Sequence, residues 1–172
     1  MTNDSPEVLF AKVIDRISLY EVGTYILGLN DDELTETQKD FKRCYDLWLG
    51  LGNGFYDVCN GTYLASLPRG VAAFERIGAT LIATAGRLVL AEFECRNLPT
   101  TEDEIDLSII DEAELERIFL AIEKIDRDYM SQIWDAALVT EQQLIALASV
   151  GPEPTNTEHA AGDGPPIRRE ST

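Results

Sequence analysis

The chain has 172 residues, enough for one domain with a sizeable core that needs neither disulfides nor metal. Apolar residues make up 45% of it, which excludes a chain disordered throughout by composition. Thirty-one acids against 14 bases give a formal net charge of -17, a field that repels nucleic acid and anionic membranes and favours basic partners.

Cys44, Cys59 and Cys95 form an odd set with no CxxC spacing, each in an apolar or helical context. Buried free thiols in a reducing compartment are the expectation. The opening MTNDSPEVLF lacks a basic stretch followed by an apolar one, so no signal peptide is expected. No run approaches the ~20 apolar residues of a membrane span. The expected location is cytoplasmic, with no membrane partner.

Ser5-Pro6-Glu7 opens the first expected helix, with a cap, a first-turn proline and an acid at the positive helix end. Phe10, Val13, Ile14, Ile17 and Tyr20 recur at helical spacing, and Val22, Tyr25, Ile26 and Leu29 extend the pattern despite Gly23. Thr35 with Gln38, or Asp31 with Leu34, can start the second helix. Leu34, Gln38, Phe41, Cys44, Tyr45 and Trp48 line one face of it.

The stretch Leu47–Phe93 is an apolar hub that holds seven of the twelve glycines. Gly50, Gly52 and Gly54 stop the second helix. Asn53 is a cap for a short third one, with Phe55, Val58 and Cys59 inward, and Asn60-Gly61 marks a turn. Pro68 starts the next helix, with Val71, Phe74 and Ile77 inward, and Ile77-Gly78-Ala79 breaks it. Leu81, Ile82, Ala85, Val89 and Phe93 continue as another helix, in which Gly86 lets a neighbour pack closely.

After the connector at Leu98–Thr101, Leu115, Ile118, Phe119, Ile122, Ile125 and Tyr129 keep a helical stripe. Ile133, Trp134 and Leu138 carry it on, and Leu144, Ile145, Leu147 and Ala148 end it. From Gly151 the composition turns to Pro, Gly, Thr and charge, which predicts a disordered tail over 151–172. No period-2 alternation marks a strand. The expectation is an all-α compact single-domain bundle of six or seven helices over 1–150.

Chemistry is sparse. The one histidine, His159, falls in the expected tail, which leaves no Ser-His-Asp or Cys-His arrangement and no zinc set. The run Gly50-Leu51-Gly52-Asn53-Gly54-Phe55 follows a helix, lacks GK[ST] and does not fit GxGxxG. Glu102, Asp103, Glu104 and Asp106 lack the central glycine and alternating ligands of a calcium loop. No catalytic residue, cofactor or metal is expected, and the chain does not read as an enzyme.

The acids themselves are the remaining signal. From Glu102 to Asp128 there are eleven acids against Arg117, Lys124 and Arg127. Glu102 and Asp106 are four apart, as are Glu112 and Glu116, so on helices they set like charges in a row. Such a row is a solvated face or a surface for a basic partner. The candidate partner-binding residues are Glu102, Asp103, Glu104, Asp106, Asp111, Glu112, Glu114 and Glu116. A surface dense in carboxylates can occupy a basic groove in place of DNA, whose binding proteins draw affinity from neutralising its charge.

Three segments carry a family likeness: Leu34-Thr35-Glu36-Thr37-Gln38, then Asn53-Gly54-Phe55 through Asn60, then Ala72-Ala73-Phe74-Glu75-Arg76-Ile77-Gly78-Ala79. They resemble the DNA mimic protein domain, the nineteenth-numbered type in that series, over residues 34–95, with a weaker echo at Ile125–Tyr129. The chain departs from that pattern in having one glycine after Asn53 and Asp57 where glutamine is usual. Asn53, Gly54, Phe55, Asn60 and Gly78 are its structural motif residues here. The resemblance implies an all-α fold, a homodimer, and sequestering of a helix-turn-helix transcription factor. The expected function is an acidic interaction protein that takes a basic, DNA-binding partner without binding nucleic acid itself. An immunity protein or antitoxin is the alternative.

Overall fold

The computed structural model describes residues 6–98, 105 and 107–149, with the side chains at 6, 7, 53, 130, 131, 133–139 and 149 outside that description. Among the described residues there are seven α-helices, four short 3-10 turns and no strand, the all-α fold that the periodicity predicts. The expected tail, with His159, lies outside the described residues.

The first helix differs from expectation. It is not one element but two, α1 (Pro6–Phe10) and α2 (Arg16–Leu27). The break has a local cause. The Asp15 carboxylate accepts from the Ser18 amide at 2.9 Å, and the Ser18 hydroxyl accepts from the Asp15 amide at 3.0 Å. This reciprocal cap restarts the helix in a new phase. Leu19, Val22 and Ile26 then turn inward, while Ile14 and Ile17 are 77% and 71% exposed and Tyr20 also faces solvent.

The second expected helix is α3 (Glu36–Gly50). Thr35 and Gln38 cap it reciprocally, each amide donating to the other side chain. The competing signal at Asp31 builds a 3-10 turn, Asp31–Glu33. Every residue of the expected stripe, from Leu34 to Trp48, is buried. The Phe41 and Tyr45 rings stack with centroids 5.9 Å apart. Burial of each such side chain stabilises the fold by roughly 1.5–3 kcal/mol.

The hub follows as α4 (Phe55–Asn60), α5 (Leu67–Arg76) and α6 (Thr80–Glu94). Asn60 is the last residue of α4, at the expected turn. Gly78, at φ +76°, closes α5: the Ala79 amide reaches back to the Phe74 carbonyl at 2.9 Å and the Gly78 amide to the Glu75 carbonyl at 3.1 Å. Gly86 works as expected, since a Cβ there would stand 2.4 Å from Val71 Cγ2 on the neighbouring helix.

The last element, α7 (Glu112–Ser149), is a single helix of 38 residues, about 57 Å long. The helices close on themselves: α3 packs on α5, α5 on α6, α6 on α7, and α7 returns to α3 and α4. Cys44 and Cys59 are buried in this core. Cys95 corrects the expectation for all three thiols. It follows the end of α6 and is exposed, because Phe93 and Leu98 take the buried positions there. Among the described residues, no helix is long and apolar enough to cross a membrane.

Candidate interaction surface

The surface is built where α4 meets α7. A six-residue helix is too short to be stable alone, and its first amides need acceptors. Asn53 is not the cap. The residue before the helix is Gly54, and the acceptor comes from α7, 71 positions away. Asp126 takes the Phe55 amide on Oδ1 at 2.9 Å and the Tyr56 amide on Oδ2 at 2.8 Å. Gly54 has φ +109° and ψ -177°, a region reserved for glycine. A Cβ there would lie 2.7 Å from Asp126 Oδ2. The glycine therefore serves both the backbone path and the approach of the carboxylate.

Asp126 is 6% exposed, and burial is the main cause that pushes its carboxyl above the ordinary value. The two amides pull the other way, and the charges of Asp57 and Glu123 add to the rise. The clamp fixes Tyr56 against Phe119 of α7, ring centroids 5.4 Å apart and inclined at 57°.

Beside that ring pair, Leu115 and Leu120 continue an open groove of about 460 Å³ whose acidic lining is Glu112, Glu116 and Glu123. Leu120 is 57% exposed, so an apolar side chain stands in water at the groove. No base lines it. Residues 112, 116 and 123 fall within about 40° of one another around a 3.6-residue helix, so the three glutamates form one ridge. Among the described residues, none of the three is in an ion pair.

The other expected partner-binding acids have different fates. Asp111 accepts the Glu114 amide at 2.8 Å and starts α7. Glu114 is held by Arg96, just past the end of α6, and by Arg117 one turn on, which lowers its carboxyl below the ordinary value. Both are thus occupied in building the helix and its seat on α6. Glu102, Asp103, Glu104 and Asp106 lie outside the described residues. The structure therefore brings together Glu112 and Glu116 of the expected set and adds Glu123, Tyr56, Phe119 and Leu120.

Several acids elsewhere have bases. Lys39 holds Glu36 at 2.7 Å, Lys42 holds Asp31 at 2.8 Å, Arg76 holds Asp40 at 2.6 Å and Arg87 holds Glu75 at 2.6 Å. A smaller pocket of about 220 Å³ lies among Asp31, Lys42, Arg43, Asp46, Ser66 and Arg69, but its charges face one another. Six bases lie on α3, α5 and α6, α7 carries Arg117, Lys124 and Arg127, and the α4–α7 groove is left with carboxylates that no ion pair among the described residues neutralises.

The chemistry open to this surface is the holding of an organic cation. Burial pushes the Cys44 and Cys59 thiols far up, so both stay in the unreactive thiol form. Among the described residues no group of three or more His, Cys, Asp or Glu side chains is placed to hold a metal ion. Comparison with protein-family models, curated proteins and solved structures found no match to this chain.

Proposed function

We propose that the protein is a non-enzymatic interaction protein whose acidic ridge on α7 occupies the basic, DNA-contacting surface of another protein. The observation that carries this is the segregation of charge. Among the described residues, bases neutralise Glu36 and Asp40 of α3 and Glu75 of α5, while Glu112, Glu116 and Glu123 stand without an ion pair on one helical face. A net charge of -17 adds a field that draws basic partners in and keeps nucleic acid away.

The spacing supports mimicry of DNA. Along the α7 axis, Glu112 to Glu116 rises about 6 Å and Glu116 to Glu123 about 10 Å. One strand of duplex DNA rises about 3.4 Å per phosphate, so these are close to two and three steps. The likeness of the Asn53–Asn60 and Ala72–Ala79 segments to the DNA mimic protein domain points the same way, toward a helix-turn-helix transcription factor as partner. An immunity protein acting on a basic toxin would use the same ridge.

The test starts with affinity capture from the source cells at low salt, with elution by a salt step. The captured protein should bind duplex DNA, and the pure chain should displace labelled duplex from it. Replacing Glu112, Glu116 and Glu123 by glutamine should abolish the displacement. A captured protein without DNA-binding activity would instead favour the immunity role. Capture that is indifferent to salt or to the three glutamates would refute the electrostatic basis of both.

A further inference from the structure

We infer that the α4–α7 groove takes an arginine side chain of the partner in preference to a lysine, with the guanidinium packed on the Tyr56–Phe119 ring pair and an apolar neighbour lying on Leu120. This rests on the proposed role of the ridge, and it adds what a row of charges alone does not supply. Carboxylates spaced along a helix attract any cation. The lining of this groove is more selective.

Three features of the lining argue for it. First, the Tyr56 and Phe119 rings line the groove beside the glutamates, at an inclination of 57°. Guanidinium stacks on aromatic faces and is more weakly hydrated than ammonium, so it loses less on leaving water for such a site. Second, Glu112, Glu116 and Glu123 follow one another along the same face. The planar fork of arginine can hydrogen-bond a carboxylate with two donors while its plane rests on a ring, whereas a lysine offers a point charge. Third, Leu115 and Leu120 extend the groove as apolar surface, and Leu120 is 57% exposed. A partner segment of alternating arginine and apolar residues covers both parts at once.

The position of Tyr56 is not left to chance. Asp126 holds its amide at 2.8 Å and that of Phe55 at 2.9 Å, which pins the first turn of α4 to the helix that carries Phe119. The groove is therefore preformed, and little ordering is required when a side chain enters.

The probes are two fluorescein-labelled twelve-residue peptides of equal charge, repeats of Gly-Arg-Leu and of Gly-Lys-Leu, read by fluorescence anisotropy at low salt. The arginine peptide should bind about fivefold tighter than the lysine peptide. Phe119→Leu keeps an apolar side chain and removes the ring; it should bring that ratio to within about twofold of unity while lysine-peptide binding stays near its original value. Tyr56→Leu carries the same expectation from the α4 side, should Phe119→Leu unfold. The triple glutamine variant at Glu112, Glu116 and Glu123 should weaken both peptides about tenfold.

Equal binding of the two peptides, or a ratio that survives both ring substitutions, overturns the inference. If the peptides bind equally yet both are lost in the glutamine variant, arginine selection falls and the acidic ridge stands. If the glutamine variant binds both as tightly as the wild type, ridge and groove fall together.

Discussion

Gly54→Ala strikes the joint that positions the groove. Alanine at φ +109° is strained by about 1–3 kcal/mol. Its Cβ would sit 2.7 Å from Asp126 Oδ2 and 2.8 Å from Cγ, too close for contact. Asp126 cannot yield without stretching bonds of 2.9 and 2.8 Å to the Phe55 and Tyr56 amides. Each is a charge-assisted bond worth about 1.5–3 kcal/mol. Reduced freedom of the unfolded chain returns about 0.4–1 kcal/mol. With one of the two bonds lost, the net destabilisation is about 1.5–5.5 kcal/mol, a large part of the roughly 5–15 kcal/mol that holds a domain folded. At a urea slope of about 2 kcal/mol/M, the unfolding midpoint falls by roughly 1–3 M.

Urea unfolding followed by circular dichroism at 222 nm measures the shift. The Asp126→Ala background removes the collision and both bonds, so Gly54→Ala should cost about 2 kcal/mol less there than in the wild type. Amide exchange at Phe55 and Tyr56 should be slow in the wild type and fast in either variant. A loss below about 1 kcal/mol for Gly54→Ala, or additivity within about 0.5 kcal/mol, would refute the clamp.

Three further predictions follow from the same packing. Ile14→Ser and Ile17→Ser should each change stability by less than about 0.5 kcal/mol, whereas Leu19→Ala should lose about 2–5 kcal/mol by urea unfolding; the reverse order would mean that α1 and α2 form one continuous helix. Gly86→Ala drives a methyl into Val71 and should destabilise by about 1–3 kcal/mol, and Val71→Ala in the same chain should recover part of that loss; purely additive effects would deny the close approach. The folded state holds the Asp126 proton more tightly than the unfolded chain, so its contribution to stability rises as pH falls through the raised value toward 3.8. Asp31, Glu75 and Glu114 are lowered, so their contribution is lost as pH falls below about 3.8 for Asp and 4.5 for Glu. The stability gap between wild type and Asp126→Asn should therefore widen on acidification from pH 6 to 4; a narrowing gap would show that the amides outweigh burial.

The middle of the chain was legible because its signals are local. Phe41, Cys44, Tyr45 and Trp48 sit at helical spacing behind a Thr35–Gln38 cap, and all of them are buried. The Gly78 break and the close packing at Gly86 also follow from residues near at hand. At the start of the chain the periodicity misleads, because Val13, Ile14 and Ile17 continue an apolar period straight through a break that Asp15 and Ser18 impose. Apolar spacing alone does not report a competing cap. The clamp was out of reach for another reason: Asp126 and Phe55 are 71 positions apart, and no local pattern links them.

The candidate site was half legible. Acid density marked the start of α7, yet which acids stay free is decided by where bases land. Arg96 arrives from the turn after α6 and, with Arg117, claims Glu114, while Asp111 is spent as a cap. Glu123 lies on the same helical face as Glu112 and Glu116, seven positions beyond Glu116, and a wheel of α7 would have included it. The contribution of Tyr56 required knowing that α4 folds onto α7.

Carbodiimide labelling of carboxylates, read by mass spectrometry with and without the captured DNA-binding protein, locates the docking face directly. Glu112, Glu116 and Glu123 should be protected together in the complex, while Glu36 and Asp32, which do not line the groove, keep their labelling. Protection at Glu36 and Asp32 with the three α7 glutamates unchanged would place the partner elsewhere and contradict the ridge.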